Sequence, residues 1–155
     1  MLLKINKLGL AVLILMAQSV LANAQSTEVL CDKKFYKNAS EEGVAAAVSE
    51  PNAVFLRCPG GETPLHRAVS AQNLFAIRAI VKAGGDVDAR TEIGNTPLHF
   101  VVLSLEPRPE LVDLLVSLGA DIHQTGSDNQ TPLEMALSWQ EVDIAEALRR
   151  NGAKY

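Results

Sequence analysis

The stretch TPLHRAV (63–69) decides how this chain reads, because it returns as TPLHFVV (96–102) and nearly so as TPLEMAL (131–137). The threonines that head the three copies stand 33 and 35 residues apart. A histidine three residues after a threonine suggests a base or a metal ligand, but whatever role it has must hold more than once. The second half of each copy also recurs. IRAIVKAGGDVDA (77–89) parallels LVDLLVSLGADIH (111–123), and IAEALRRNGAK (144–154) is a third version. Self-similarity at such a period is the mark of stacked repeats.

The letters within one copy spell helix, turn, helix, loop. The Thr63 hydroxyl can cap a helix, and Pro64 falls at the first helical position, where a missing N–H costs nothing. Leu65, Ala68 and Val69 follow at helical spacing. The polar break SAQN ends this short helix. A second helix carries Phe75, Ile77, Ile80 and Val81 inward, and Gly84 stops it. DVDARTEIG then runs as an extended loop to the next Thr-Pro. The middle copy is two residues longer, at SLEPRPE, and Pro107 and Pro109 are both expected between its helices.

This unit resembles an ankyrin repeat, whose pattern is approximately G-x-T-P-L-H-x-A, a second helix, then G-A-D-V-N. The resemblance covers residues 61–155. Three departures stand out: Gly85 replaces the usual alanine, Asn129 stands where a glycine is usual, and Glu134 replaces the third histidine. Shifted upstream by 33, Val44, Ala47, Val48 and Val54 match Ile77, Ile80, Val81 and Val87. EEGVAAAVSEPNAVFLR is therefore expected to be the second helix and loop of a degenerate first unit. EVLCDKKFYKN supplies its first helix, with Leu30, Phe35 and Tyr36 facing in. The resemblance implies an all-α ankyrin-repeat solenoid of helix–turn–helix units. About four units are expected, including degenerate ends: 28–58, 59–91, 92–126 and 127–155. Glu141, Asp143, Glu146, Arg149 and Arg150 are expected to solvate the C-terminal end, since end units lack a neighbour.

The chain has 155 residues, enough for one domain. Residues 1–24 read as a secretory signal: Lys4 and Lys7, an apolar run over 8–17, then Ala22-Asn23-Ala24. The run is shorter than the roughly 20 residues a membrane span needs, which disfavours an uncleaved anchor. A cut after Ala24 leaves residues 25–155 as a periplasmic or secreted domain, free of the membrane and monomeric. The A-x-A site reads as bacterial. Removing Lys4 and Lys7 leaves 12 of the 14 basic residues against 18 acidic ones, a formal charge of −6. An acidic domain with no basic stripe is a poor match to nucleic acid. Two cysteines in an exported chain read as a disulfide, Cys31–Cys58, in preference to a Cys58 thiol nucleophile in RCPGG.

In the family, the TPLH histidine bonds the threonine across the turn and the backbone of the adjoining loop. By that resemblance His66 and His99 are scaffold, and one unit of separation is too far for two imidazoles to share a zinc with bonds of about 2 Å. His123, in a loop near Asp121, is a lone histidine. DIHQTGSD has too few carboxylates for a calcium loop, and CPGGE lacks the lysine of a phosphate loop. No catalytic residue, metal or cofactor is assigned.

The resemblance implies that a concave face, made of loop tips and the ends of the first helices, binds another protein. The tips are Arg57, Pro59, Gly60 and Glu62; Arg90, Glu92, Ile93 and Asn95; and Thr125, Ser127, Asp128 and Gln130. The helix ends add Ser70, Ala71, Leu103, Ser104, Ser138 and Trp139. The partner-binding set is Arg90, Glu92, Ile93, Asn95, Ser104, Asp128, Gln130 and Trp139. Ile93 is apolar at a normally polar tip, and Trp139 is the lone tryptophan; aromatic anchors dominate binding energy at interfaces. The expected function is a non-enzymatic scaffold or protective partner in the periplasm, with inhibition of a toxic or hydrolytic enzyme as the alternative.

Overall fold

A computed structural model describes residues 29–154. The expected signal sequence and its expected cut after Ala24 lie outside the described residues. Those residues form two layers of helices with no strand among them. The inner layer is α1 (Lys33–Asn38), α3 (Pro64–Ser70), α5 (Pro97–Val102) and α7 (Pro132–Ser138). The outer layer is α2 (Glu41–Ser49), α4 (Leu74–Lys82), α6 (Pro109–Ser117) and α8 (Val142–Arg150). Successive inner helices pack on one another, α2 packs on α4, and α6 packs on α8. This is the expected helical solenoid.

Thr63, Thr96 and Thr131 hold extended backbone and close a reciprocal capping box at the start of α3, α5 and α7. The proline after each starts the helix without wasting a donor. Leu65, Leu98 and Leu133 then point from equivalent positions into the core, each about 1% exposed. Ile80, Leu115 and Leu148 are fully buried at equivalent positions of the outer layer. Burying one such side chain stabilises the fold by about 1.5–3 kcal/mol.

Each of the last three outer helices turns out through a left-handed glycine, Gly84, Gly119 and Gly152 (φ +95°, +99° and +100°). The next N–H reaches back to a helix carbonyl: Gly85 to Ile80 (2.9 Å), Ala120 to Leu115 (3.0 Å) and Ala153 to Leu148 (3.0 Å). This closure explains why Gly85 departs from alanine. A Cβ there would lie 2.6 Å from Ile80 Cγ2 and 2.8 Å from the Ile80 carbonyl oxygen. Leucine at 115 and 148 is not branched at Cβ, and there the following position is alanine.

Pro109 departs from expectation. It is the first residue of α6 and not part of the connection. The first helical position asks for no N–H, so proline begins a helix there as readily as Pro64 does. Pro107 stays in the loop.

The first unit is the most altered one. The expected first helix over EVLCDKKFYKN is broken at Asp32, whose extended backbone and side chain cap α1 by accepting the Lys34 N–H at 2.8 Å, so Cys31 ends the helical turn ahead of it. Leu30 and Tyr36 are buried, and Phe35 is half-buried against Tyr36, edge to face. The Tyr36 hydroxyl donates to the Leu30 carbonyl at 3.1 Å, and burial raises its pKa above the usual phenol range. In α2, Val44 is buried while Ala47 and Val48 pack at the edge of the core. Asn73 joins this unit to the next: its Oδ1 caps α4 through the Ala76 N–H, and its Nδ2 donates to the Tyr36 carbonyl (2.8 Å). Cys31 and Cys58 form the expected disulfide, with Cα atoms 5.4 Å apart. At the other end, Arg150 and Asn151 both bond Asp113 of α6, and the Asn151 amide holds that carboxyl below the usual range.

The double substitution Cys31→Ser/Cys58→Ser is expected to lower stability by about 3–4 kcal/mol, read from urea unfolding beside the oxidised protein. Gly85→Ala alone should cost about 1–3 kcal/mol by overpacking. Adding Ile80→Leu removes the side-chain part of the clash and leaves the carbonyl part, so it should recover some of that loss, and a double-mutant cycle with no coupling would contradict the steric account.

Candidate functional site

His66 and His99 are fully buried at the joints of the stack, while His123 is exposed. His66 Nδ1 accepts the Thr63 backbone N–H (3.1 Å), with the Thr63 hydroxyl 2.9 Å away. A nitrogen that accepts an N–H carries no proton of its own, so the ring hydrogen sits on Nε2. That nitrogen donates to the Asn95 carbonyl of the following loop (3.2 Å). His99 repeats the arrangement with Thr96 (3.2 and 2.9 Å) and the Gln130 carbonyl (3.1 Å). Both nitrogens of each ring are engaged, as the scaffold reading expected. Burial depresses both pKa values, that of His66 to about 4, against the opposing pull of the carbonyl bond. Among the described residues no group of three or more His, Cys, Asp or Glu could hold a metal ion.

Glu134 fills the histidine position of the third unit. Its carboxylate accepts the Thr131 N–H (2.7 Å) and hydroxyl (2.9 Å), and the backbone bond lowers its pKa. It performs the capping half of the histidine's task. Its hydrogen bonds go to Thr131 and Ser138, within its own unit.

The loop before each Thr-Pro folds into a tight finger. Cys58 N–H donates to the Glu62 carbonyl (2.7 Å), Thr91 to Asn95 (3.0 Å), and Gly126 to Gln130 (2.8 Å). The turn demands left-handed backbone at Gly61, Gly94 and Asn129 (φ +72°, +89° and +57°). Asparagine tolerates that region better than most residues, which accounts for Asn129 in place of glycine. The fingers are tied to one another. Glu92 N–H donates to the Gly60 carbonyl (3.0 Å), Arg57 to the Arg90 carbonyl (3.1 Å), and Arg90 to Gln124 Oε1 (3.4 Å).

The sequence-predicted binding residues fall into three groups. Arg90, Glu92, Ile93, Asp128 and Trp139 are exposed, Ile93 by 67% and Trp139 by 56%. Ser104 and Gln130 are half-buried. The Gln130 side chain donates to Ser138 Oγ (3.4 Å), which brings the third finger against the end of α7. Asn95 is a correction: it is 2% exposed and unavailable to a partner. Its Oδ1 accepts the Ser127 N–H (2.7 Å), its N–H donates to Thr91 Oγ1, and its carbonyl receives His66. A polar residue ahead of a helix start looks exposed in sequence, but here it fills the seam between two fingers.

The structure also shows a groove that the sequence did not. About 590 Å³ opens between α1, the ends of α3 and α5, and the two-residue insertion. Lys33 and Lys37 form one wall, and Phe100, Leu103, Ser104 and Leu105 the other. Phe100 stands edge-on to the His66 ring at 4.8 Å. Gln72 pins the insertion, donating to Ser104 Oγ (3.0 Å) and the Glu106 carbonyl (2.7 Å). Leu105 is fully exposed. Of the predicted helix ends, Ser70, Ala71, Leu103 and Ser104 line this groove; Ile93 and Trp139 do not. The signals that could have found it were two lysines four residues apart and a leucine inside a Pro-rich insertion.

A family model for ankyrin repeats in three copies matches residues 4–126. The chain belongs to the ankyrin-repeat family. Among curated proteins it is 38% identical over 77 residues to the human protein phosphatase 1 regulatory subunit 27, covering 50% of this chain and 49% of that one. It is 34% identical over 92 residues to the mouse B-cell lymphoma 3 protein homolog, covering 57% and 20%. Human Rabankyrin-5 is 34% identical over 97 residues, covering 60% and 8%. The chain thus spans about half the length, or less, of these relatives. Ankyrin repeats bind other proteins, and membership makes this chain a protein-binding module. No described helix is long and apolar enough to cross a membrane.

The buried histidines set a pH dependence. The unfolded chain takes up a proton on each imidazole below about pH 6.5, while folded His66 resists until about pH 4. Stability from this residue is complete above pH 6.5 and lost as pH falls toward 4. Unfolding free energy should drop by about 1–2 kcal/mol between pH 6.5 and 5, above the carboxylate range. Urea titrations at those two values test this, with imidazole NMR to show His66 still neutral at pH 5.

Proposed function

We propose that this chain is an exported, monomeric, non-enzymatic protein-binding module that scaffolds or shields a partner in the periplasm. The observation that carries the reading is apolar surface on a rigid frame: Ile93, Leu105 and Trp139 stand exposed on fingers and helix-end turns that hydrogen bonds fix in place. Exposed anchors held still bind with little ordering cost. Family membership supports the binding role and the absence of catalysis. The short basic, apolar, small-residue order of residues 1–24 supports export.

Inhibition of an enzyme is a second reading. The formal charge of −6 left after signal removal suits docking on a basic enzyme. The name of the phosphatase regulatory subunit places a similar repeat array in control of an enzyme.

The test is capture from a periplasmic extract with the chain that begins at Gln25. Wild type should retain a protein that an Ile93→Arg/Trp139→Ala variant loses, the two variants melting alike. Equal recovery by both would refute the proposed face. If the captured protein is an enzyme, loss of its activity at equimolar addition would favour inhibition over scaffolding.

A further inference from the structure

Lys33 and Lys37 lie four residues apart on α1, so both ammonium groups project from one side of the helix. Like charges at that spacing repel each other and cost some helix stability. Both lysines are exposed, and no ion pair among the described residues involves either one. The pair stands in a chain whose formal charge is −4, and it faces directly into the groove. Across from it, Phe100 and Leu103 are half-buried and Leu105 is wholly exposed, an apolar shelf beside two cations.

Both walls are fixed before anything binds. α1 is held by the Cys31–Cys58 bridge, by buried Tyr36 and by the Asn73 amide. The shelf is held by the two bonds from Gln72. A preformed site loses less entropy on binding than one that must order itself. Two cations are too few for a nucleic-acid backbone, where affinity grows with the number of phosphates neutralised. Glu106, at the far rim of the groove, repels a second acid there and so orients a ligand with its carboxylate toward α1.

We propose that this groove receives an extended segment of the partner protein in which an acidic residue lies beside a bulky apolar one. The carboxylate sits on Lys33 and Lys37, and the apolar side chain sits on Phe100, Leu103 and Leu105. The inference rests on the protein-binding reading and supplies its chemistry. It adds a contact point separate from Ile93 and Trp139.

Fluorescence anisotropy with three labelled probes tests it: peptides of Ser-Glu-Leu, Ser-Lys-Leu and Ser-Glu-Ser repeats. The Ser-Glu-Leu probe should bind the chain from Gln25, more weakly as salt rises, and the other two should not. Lys33→Glu/Lys37→Glu should weaken it about tenfold, and Leu105→Glu should weaken it as well. These side chains make no bonds in the fold, so melting temperatures should stay unchanged. Equal or better binding of the lysine probe, no binding of the Ser-Glu-Leu probe, or indifference to the substitutions would overturn the proposal. If those results came with a partner still captured through Ile93 and Trp139, the binding module would stand and the groove chemistry alone would fall. Failure of both experiments would sink both.

Discussion

An imidazole kept uncharged is the constraint on which the rest of the structure depends. His66 and His99 each accept an N–H from the start of their own helix and donate to the loop of the next unit. One side chain thereby settles where a helix begins, how the following finger lies, and how far apart two units sit. A charged ring would present a second donor to the Thr63 or Thr96 N–H and break that chain of bonds. Buried polar groups are costly without partners, so the threonine, the histidine and the loop carbonyl form one indivisible arrangement.

The recognition surface inherits its rigidity from those joints. Phe100 lies against His66, so the wall of the groove is one ring away from the scaffold. The fingers are likewise braced by contacts between neighbours: Arg57 with Arg90, Glu92 with Gly60, Ser127 with Asn95. All these bonds join adjacent units. The array is thus held by short-range links, and its binding residues sit on turns whose shape the links determine.

Much of this was legible because the repeat multiplies its own signals. A threonine and proline at a helix start, a leucine after them and a glycine at the exit recur until coincidence fails as an explanation. The hidden first unit was found by shifting that pattern, and Val44 and Val54 are indeed buried. Where the reading failed, one residue served two masters. Asn95 looks like a loop tip, yet its backbone and side chain both bond within the stack. Pro109 looks like a loop breaker, yet a helix can start on it. The groove was hidden for a different reason. Its two walls come from residues about 70 positions apart in sequence, one of them in a degenerate unit where the family pattern is faint, and only folding puts them face to face.

The two-residue insertion between α5 and α6 bears on how such a surface changes. It projects Leu105 outward and is tied to the preceding unit by the Gln72 side chain, while Thr96, Leu98 and His99 beneath it keep the family arrangement. Length and composition here can drift without disturbing the framework below. This hairpin corner is therefore a natural place for diversification, whether by evolution or by a designer grafting new specificities: the loop can be rewritten while the architecture stays constant.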